Sequence, residues 1–177
     1  LALEYGDAFG FPVWINRCGV IGGGGQYGRA NQGILTFWVY SFLLGHPLHY
    51  SGFGGTGKQV RDFVQAEEIA DLVLDQIRDP SRQVQQVLNV GGGMANAFSL
   101  LELTAICQDF FRSSMPVTGS RDQRPYDIPF YVTDTRRVQR AWDWEPALNG
   151  EELVLSVCRW AQENRTFVEL LADGSGA

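Results

Sequence analysis

The chain has 177 residues, the length of one domain, and is 45% hydrophobic with five Trp, enough apolar bulk for a packed core and too much for a disordered chain. Its formal net charge of −6 argues against nucleic acid and anionic membrane surfaces, which select strongly basic proteins. The longest apolar run, Ile34 to Leu44, is interrupted by Thr36 and Ser41 and is too short to span a bilayer.

In chain order, residues 11–21 read as a strand entered by Pro12 and left through glycines. Residues 33–44 form an apolar helix closed by Gly45 and Pro47. Residues 48–53 alternate as a short strand. Residues 66–77 are amphipathic, with Ile69, Leu72, Val73, Gln76 and Ile77 on one helical face and Asp79-Pro80 as the stop. Residues 86–90 form a buried strand. Ser99 and Glu102 make a capping box that opens a helix to about Phe111. Val117 begins another short strand or an extended loop. Helices follow over 135–142 and 151–171, and 174–177 is a frayed tail. Strands alternating with helices predict an α/β fold with parallel pairings.

The charges are unevenly placed. Between Asp7 and Asp62 there is no Asp or Glu, whereas Arg17, Arg29, Lys58 and Arg61 all fall in that stretch. It closes on G-F-G-G-T-G-K-Q-V-R-D-F-V, residues 52–64. Cations and glycines without carboxylates suit a bound anion, because Arg pairs phosphate bidentately and glycine lets backbone N–H groups approach. The alternative is an apolar strand and helix that carry few charges for reasons of burial. G-G-G-Q-Y-G at residues 23–28 fits G-x-G-x-x-G after a strand, but no acid follows about twenty residues on to hold a ribose, so it is not read as a dinucleotide fingerprint. Cys18, Cys107 and Cys158 are odd in number and widely spaced, which predicts reduced, buried thiols in a cytoplasmic protein and neither a disulfide framework nor a zinc site. His46 and His49 flank Pro47 with no carboxylate nearby, and no metal site is expected.

Five segments occur in an order that resembles a known family: R-C-G-V-I-G-G at 17–23, R-D-F-V at 61–64 before Glu67 and Glu68, N-V-G-G-G at 89–93 followed by S-L-L-E-L, D-Q-R-P-Y-D at 122–127, and D-T-R-R-V-Q-R-A-W-D-W-E-P at 134–146. Together they resemble the second half of the extended short-chain dehydrogenase/reductases, the NAD-dependent nucleotide-sugar epimerases and dehydratases. R-C-G-V-I, Gln26, N-Q-G at 31–33 and residues 52–62 resemble the CDP-paratose 2-epimerase branch in particular. The resemblance implies the C-terminal portion of a Rossmann-like fold: the last parallel strands plus a small substrate-binding subdomain. The Rossmann remnant would take about 1–33 and 61–111, and the nucleotide-sugar-binding subdomain about 34–60 and 112–177. L-A-L-E-Y-G at 1–6 resembles the tail of the family's Tyr-x-x-x-Lys helix, with the catalytic Lys just before residue 1. The expectation is therefore a C-terminal fragment, silent alone, whose parent uses NAD while the isolated chain binds none. A naturally truncated, non-catalytic binding or interaction module is the alternative.

By the same resemblance Arg61 contacts the diphosphate of a nucleotide sugar, Arg124 reaches phosphate and Asp127 holds the ribose hydroxyls. The alternatives are a structural pair of Arg61 with Asp62, Glu67 or Glu68, and a plain surface ion pair between Arg124 and Asp127. Asn31 and Gln32 precede the apolar helix, to cap it or to face a phosphate. Tyr50 lies on the strand that lines the base pocket in relatives, or is a core aromatic. Cys18, Gly19 and Val20 would form the wall beside the nicotinamide. Val20 stands where many relatives carry Asn, and Gly22 where a Tyr is frequent. The partner implied is a nucleotide-diphosphate sugar, not nucleic acid or membrane. A sheet edge left open beside residues 11–21 predicts a homo-oligomer.

Overall fold

A computed structural model describes residues 1–29, 32–82, 84–120 and 127–173. Helix α1 (Ala2–Phe9) ends at Gly10, whose φ of 72° is left-handed. The strand expected over 11–21 is two strands, β1 (Ile15–Cys18) and β2 (Val20–Gly22), with different partners. β1 runs parallel to β5 (Val87–Val90), and β2 runs parallel to the end of β4 (Val60–Gln65). Gly19 is the joint between them. A Cβ there would lie 2.8 Å from Thr133 Oγ1 and 3.2 Å from Asp62 Oδ2. Asp62 itself is buried, and its Oδ2 accepts the Gly93 N–H at 3.0 Å, which ties β4 to the turn after β5.

β4 is the shared wall of the molecule. Its first half pairs antiparallel with β6 (Ala97–Ser99) and parallel with β8 (Phe130–Tyr131). Successive side chains of a strand face opposite ways. Accordingly Phe63 packs into one core with α2 (Ile34–Leu44), α4 (Leu100–Phe111) and α6 (Gly150–Glu163), while Val64 packs into a second with α3 (Ala66–Arg78), β5 and α5 (Arg136–Trp142). β3 (Leu48–Tyr50) pairs in parallel with β7 (Val117–Gly119). The fold is α/β and Rossmann-like, and among the described strands every pairing is parallel except β4–β6.

Three features correct the sequence reading of the helices. The buried stripe of α3 is Glu68, Leu72 and Gln76, while Ile77 is 66% exposed. Polar residues occupy that stripe because each has fixed partners. Gln76 and Asn16 exchange two amide hydrogen bonds of 2.9 and 3.1 Å. Glu68 Oε1 accepts the N–H groups of Ala147 and Leu148 at 2.7 and 2.9 Å, and its Oε2 accepts that of Gln65 at 3.1 Å. The helix expected over 151–171 breaks at Asn164 into α6 and α7 (Arg165–Asp173). The N-cap of α2 is Gly33 at φ 69° and not Gln32, while Asn31 lies outside the described residues. The capping box of Ser99 and Glu102 forms as expected, and Asn149 with Glu152 forms a second at α6.

One cysteine differs from the expectation of burial. Cys18 is exposed, and burial of its thiol nonetheless pushes its pKa up. Cys107 and Cys158 are buried side by side across α4 and α6, both unpaired, and the hydrogen bond between them raises Cys107. No helix among the described residues is long and apolar enough to cross a membrane.

Candidate functional site

Arg61 lies on β4 one step of the strand period before Phe63, so the two share a face. That face opens on a cavity of about 280 Å³. Gln32, Gln59, Arg61 and Asp127 supply its polar lining, and Val20, Ile34, Phe98 and Leu100 are among its apolar walls. Arg61 Nη2 donates to Asp127 Oδ1 at 2.7 Å, and Nη1 donates to the Val60 carbonyl at 2.7 Å. The two side chains are only 23% and 21% exposed. Asp127 Oδ1 also accepts the N–H of Ile128 at 2.9 Å, which fixes the carboxylate against its own backbone. The partner of Arg61 is therefore Asp127, 66 residues away, and not Asp62, Glu67 or Glu68. Guanidinium and carboxylate in one part-buried hollow can bind an anion and a hydroxyl side by side.

Gln32 and Val20 join Arg61 and Asp127 in this cavity. Asn31 and Arg124 lie outside the described residues. Tyr50 does not line the cavity but belongs to the core. It is buried, stacks on Trp38 with ring centroids 5.7 Å apart, and donates its hydroxyl to Thr104 Oγ1 at 2.7 Å. Trp38 Nε1 donates to the same Thr104 oxygen at 2.9 Å. Of the wall Cys18–Gly19–Val20, only Val20 reaches the cavity, and Gly19 is packed against Asp62 and Thr133. Of the four cations in the acid-free stretch, only Arg61 is in the lining, while Arg29 lies over the Tyr27 ring at 4.7 Å.

Sequence reasoning passed over Gln59. It precedes Arg61 by two residues, so strand periodicity would have put it on the same face. Its Nε2 donates to the Ser51 carbonyl at 3.2 Å, while its Oε1 is buried with no partner among the described residues.

Two of the glycines at 23–28, Gly24 and Gly28, are required by close packing. A Cβ on Gly24 would sit 2.3 Å from Trp160 Cγ, and one on Gly28 would sit 2.3 Å from the Phe37 nitrogen. At Gly24 and Gly28 the space is filled by protein.

The profile of the "NAD dependent epimerase/dehydratase family" matches residues 1–91. The chain is 28% identical over 163 residues to the CDP-paratose 2-epimerase of Salmonella typhi, covering 89% of this chain and 47% of that enzyme. It is 24% identical over 185 residues to a dTDP-glucose 4,6-dehydratase of Xanthomonas campestris pv. campestris, covering 99% of this chain and 50% of that one. Its fold matches the UDP-glucose 4-epimerase of Thermotoga maritima, solved with UDP-glucose, with a TM-score of 0.80 at 18% identity over 92% of this chain and 50% of that one. The chain spans about half the length of the curated relatives it matches. A family profile over half of the chain, with the fold to match, shows that the chain belongs to the NAD-dependent epimerase/dehydratase family.

Proposed function

We infer that the chain is the nucleotide-sugar-binding half of an NAD-dependent nucleotide-sugar epimerase or dehydratase, acting on a CDP-sugar. The observation that carries this reading is the Arg61–Asp127 pair inside one cavity with Gln32 and Val20. In this reading Arg61 takes the diphosphate and Asp127 turns to the ribose hydroxyls. Binding energy from the nucleotide then positions the sugar for the reacting half of the enzyme. Residues 34–60 and 112–177 form the sugar-nucleotide subdomain, and the remainder is the end of the Rossmann sheet.

NAD, when bound by the whole enzyme, supplies hydride acceptance and return. This chain contributes at most the Val20 wall toward it, so alone it neither holds the cofactor tightly nor turns over. Its only lysine, Lys58, follows Gly54 at four residues' distance, so the chain holds no Tyr-x-x-x-Lys pair. Reduced Cys107 and Cys158 fit a cytoplasmic location. Exposed Tyr5, Phe9 and Phe11, close together in the chain, favour self-association of the isolated chain.

Calorimetric titration with CDP and UDP tests the site. Arg61→Ala should weaken binding by about 1.5–3 kcal/mol, the range for hydrogen bonds to a charged group. Wild-type affinity in Arg61→Ala would remove Arg61 from the site and the reading with it.

A further inference from the structure

Neither Cys107 nor Cys158 lines the Arg61 cavity, yet the fold brings the two together. Cys107 falls on the buried stripe of α4, three residues after Thr104 and four after Leu103. Cys158 falls on that of α6, four residues after Val154 and three before Ala161. Both are fully buried, belong to one core, and share a hydrogen bond between their thiols. Among the described residues no group of three or more His, Cys, Asp or Glu could hold a metal ion, so the pair does not read as part of a metal centre. Two thiols in hydrogen-bond contact need move only a short way to reach the separation of about 2 Å in a disulfide. The segment between them, 108–157, carries β7, β8, α5 and the cavity residue Asp127. A bond between the two sulfurs ties both ends of that segment into the core.

We propose that Cys107 and Cys158 form a redox-sensitive staple, open as two thiols in a reducing medium and closed as a disulfide between α4 and α6 when a small disulfide oxidant is in excess. Closure runs by exchange. The thiolate of one cysteine attacks a sulfur of the oxidant and expels one half of it. The second cysteine, as thiolate, attacks the resulting mixed disulfide and expels the other half. Two S–H bonds of the protein are lost and one S–S bond forms. The oxidant's S–S bond is reduced by the two electrons, and the two protons end on its departing sulfurs. The shared hydrogen bond and burial push the Cys107 thiol up, so exchange waits on local opening of α4 or α6 and the staple sets slowly.

The test uses the 177-residue chain carrying Cys18→Ser, which removes the exposed thiol that would link one chain to another. Fixed ratios of oxidised to reduced glutathione set the equilibrium, once in buffer and once in urea strong enough to unfold the chain. Peptide mapping should find Cys107 joined to Cys158. A bond that fits the native core is favoured by that core, so the equilibrium constant for closure should be about 30- to 1,000-fold larger in buffer than in urea. By the same linkage the closed chain should unfold at higher urea than the open one. Cys158→Ala in the same background cannot close and should show no such shift. A closure constant no larger in buffer than in urea, or glutathione adducts on the two cysteines in place of the joined peptide, would overturn the proposal. Should Cys158→Ala not fold, the two closure constants of the Cys18→Ser chain still decide.

Discussion

Replacing Asp127 by alanine separates what the carboxylate does for the protein from what it does for a ligand. The Arg61–Asp127 contact is 2.7 Å between side chains 23% and 21% exposed. At that separation and an effective dielectric constant of about 20, the bare attraction is about 6 kcal/mol. Desolvation of both groups offsets most of it, leaving a net of about 1–2 kcal/mol, between exposed and buried pairs. Any phosphate approaching Arg61 must displace or share Asp127. Without the carboxylate, that competition ends. Asp127→Ala is therefore expected to bind inorganic pyrophosphate about fivefold more tightly, the counterpart of about 1 kcal/mol. It should also unfold in urea about 1–2 kcal/mol more easily, since among the described residues Arg61 then keeps the Val60 carbonyl alone. A nucleoside diphosphate should gain less than pyrophosphate, because contacts to the ribose are lost with the carboxylate. Asp127→Asn, which keeps an acceptor without the charge, controls for damage to the loop. Calorimetry with both ligands and urea titration of each variant measure all of this. Weaker pyrophosphate binding by Asp127→Ala in a folded protein would refute the idea that the carboxylate competes for Arg61.

Two further outcomes concern carboxylates outside the cavity. Glu68→Gln keeps one acceptor oxygen but sets an amide N–H against a backbone N–H of Gln65, Ala147 or Leu148, and should cost about 2 kcal/mol in urea unfolding. A variant within experimental error of wild type would mean the Ala147–Leu148 turn is held by packing alone. The Ser99 backbone N–H and then its hydroxyl hold Glu102 below its ordinary value of 4.5. A lowered folded pKa gives stability that is complete above the ordinary value and is lost as pH falls through the lowered one. Glu102→Gln should thus be about 0.5 kcal/mol less stable than wild type at pH 7, the low end for an exposed cap, and should converge with it in acid. A gap that widens toward low pH would contradict that sign.

What the sequence made legible follows from how local each signal is. The Ser99 box is written within four residues, and the α2 limits are set by glycines, so both were readable. The break at Gly19 was not, because its cause is Asp62 and Thr133, far along the chain. The buried face of α3 was misread because Glu68 and Gln76 look like surface residues until their partners at Ala147, Leu148 and Asn16 are in place. In the site, Arg61, Asp127, Gln32 and Val20 line one cavity. Tyr50 does not join them, since Trp38 on α2 and Thr104 on α4 claim it, a contact between distant segments that local pattern does not report. Gln59, just before β4, is two residues from Arg61 and was overlooked beside its charge.

The position of β4 between two cores has a mechanical consequence. Phe63 and Val64, adjacent on one strand, anchor opposite halves of the molecule, and Arg61 rides on the same strand. A ligand that grips Arg61 restrains a beam common to both halves, so its stabilisation is spread over both. Amide protection should then rise on binding in α3 and α5 as well as in α2 and α4, at positions that no ligand in the cavity touches. A molecule built this way carries news of an occupied cavity to its far side without any change of shape.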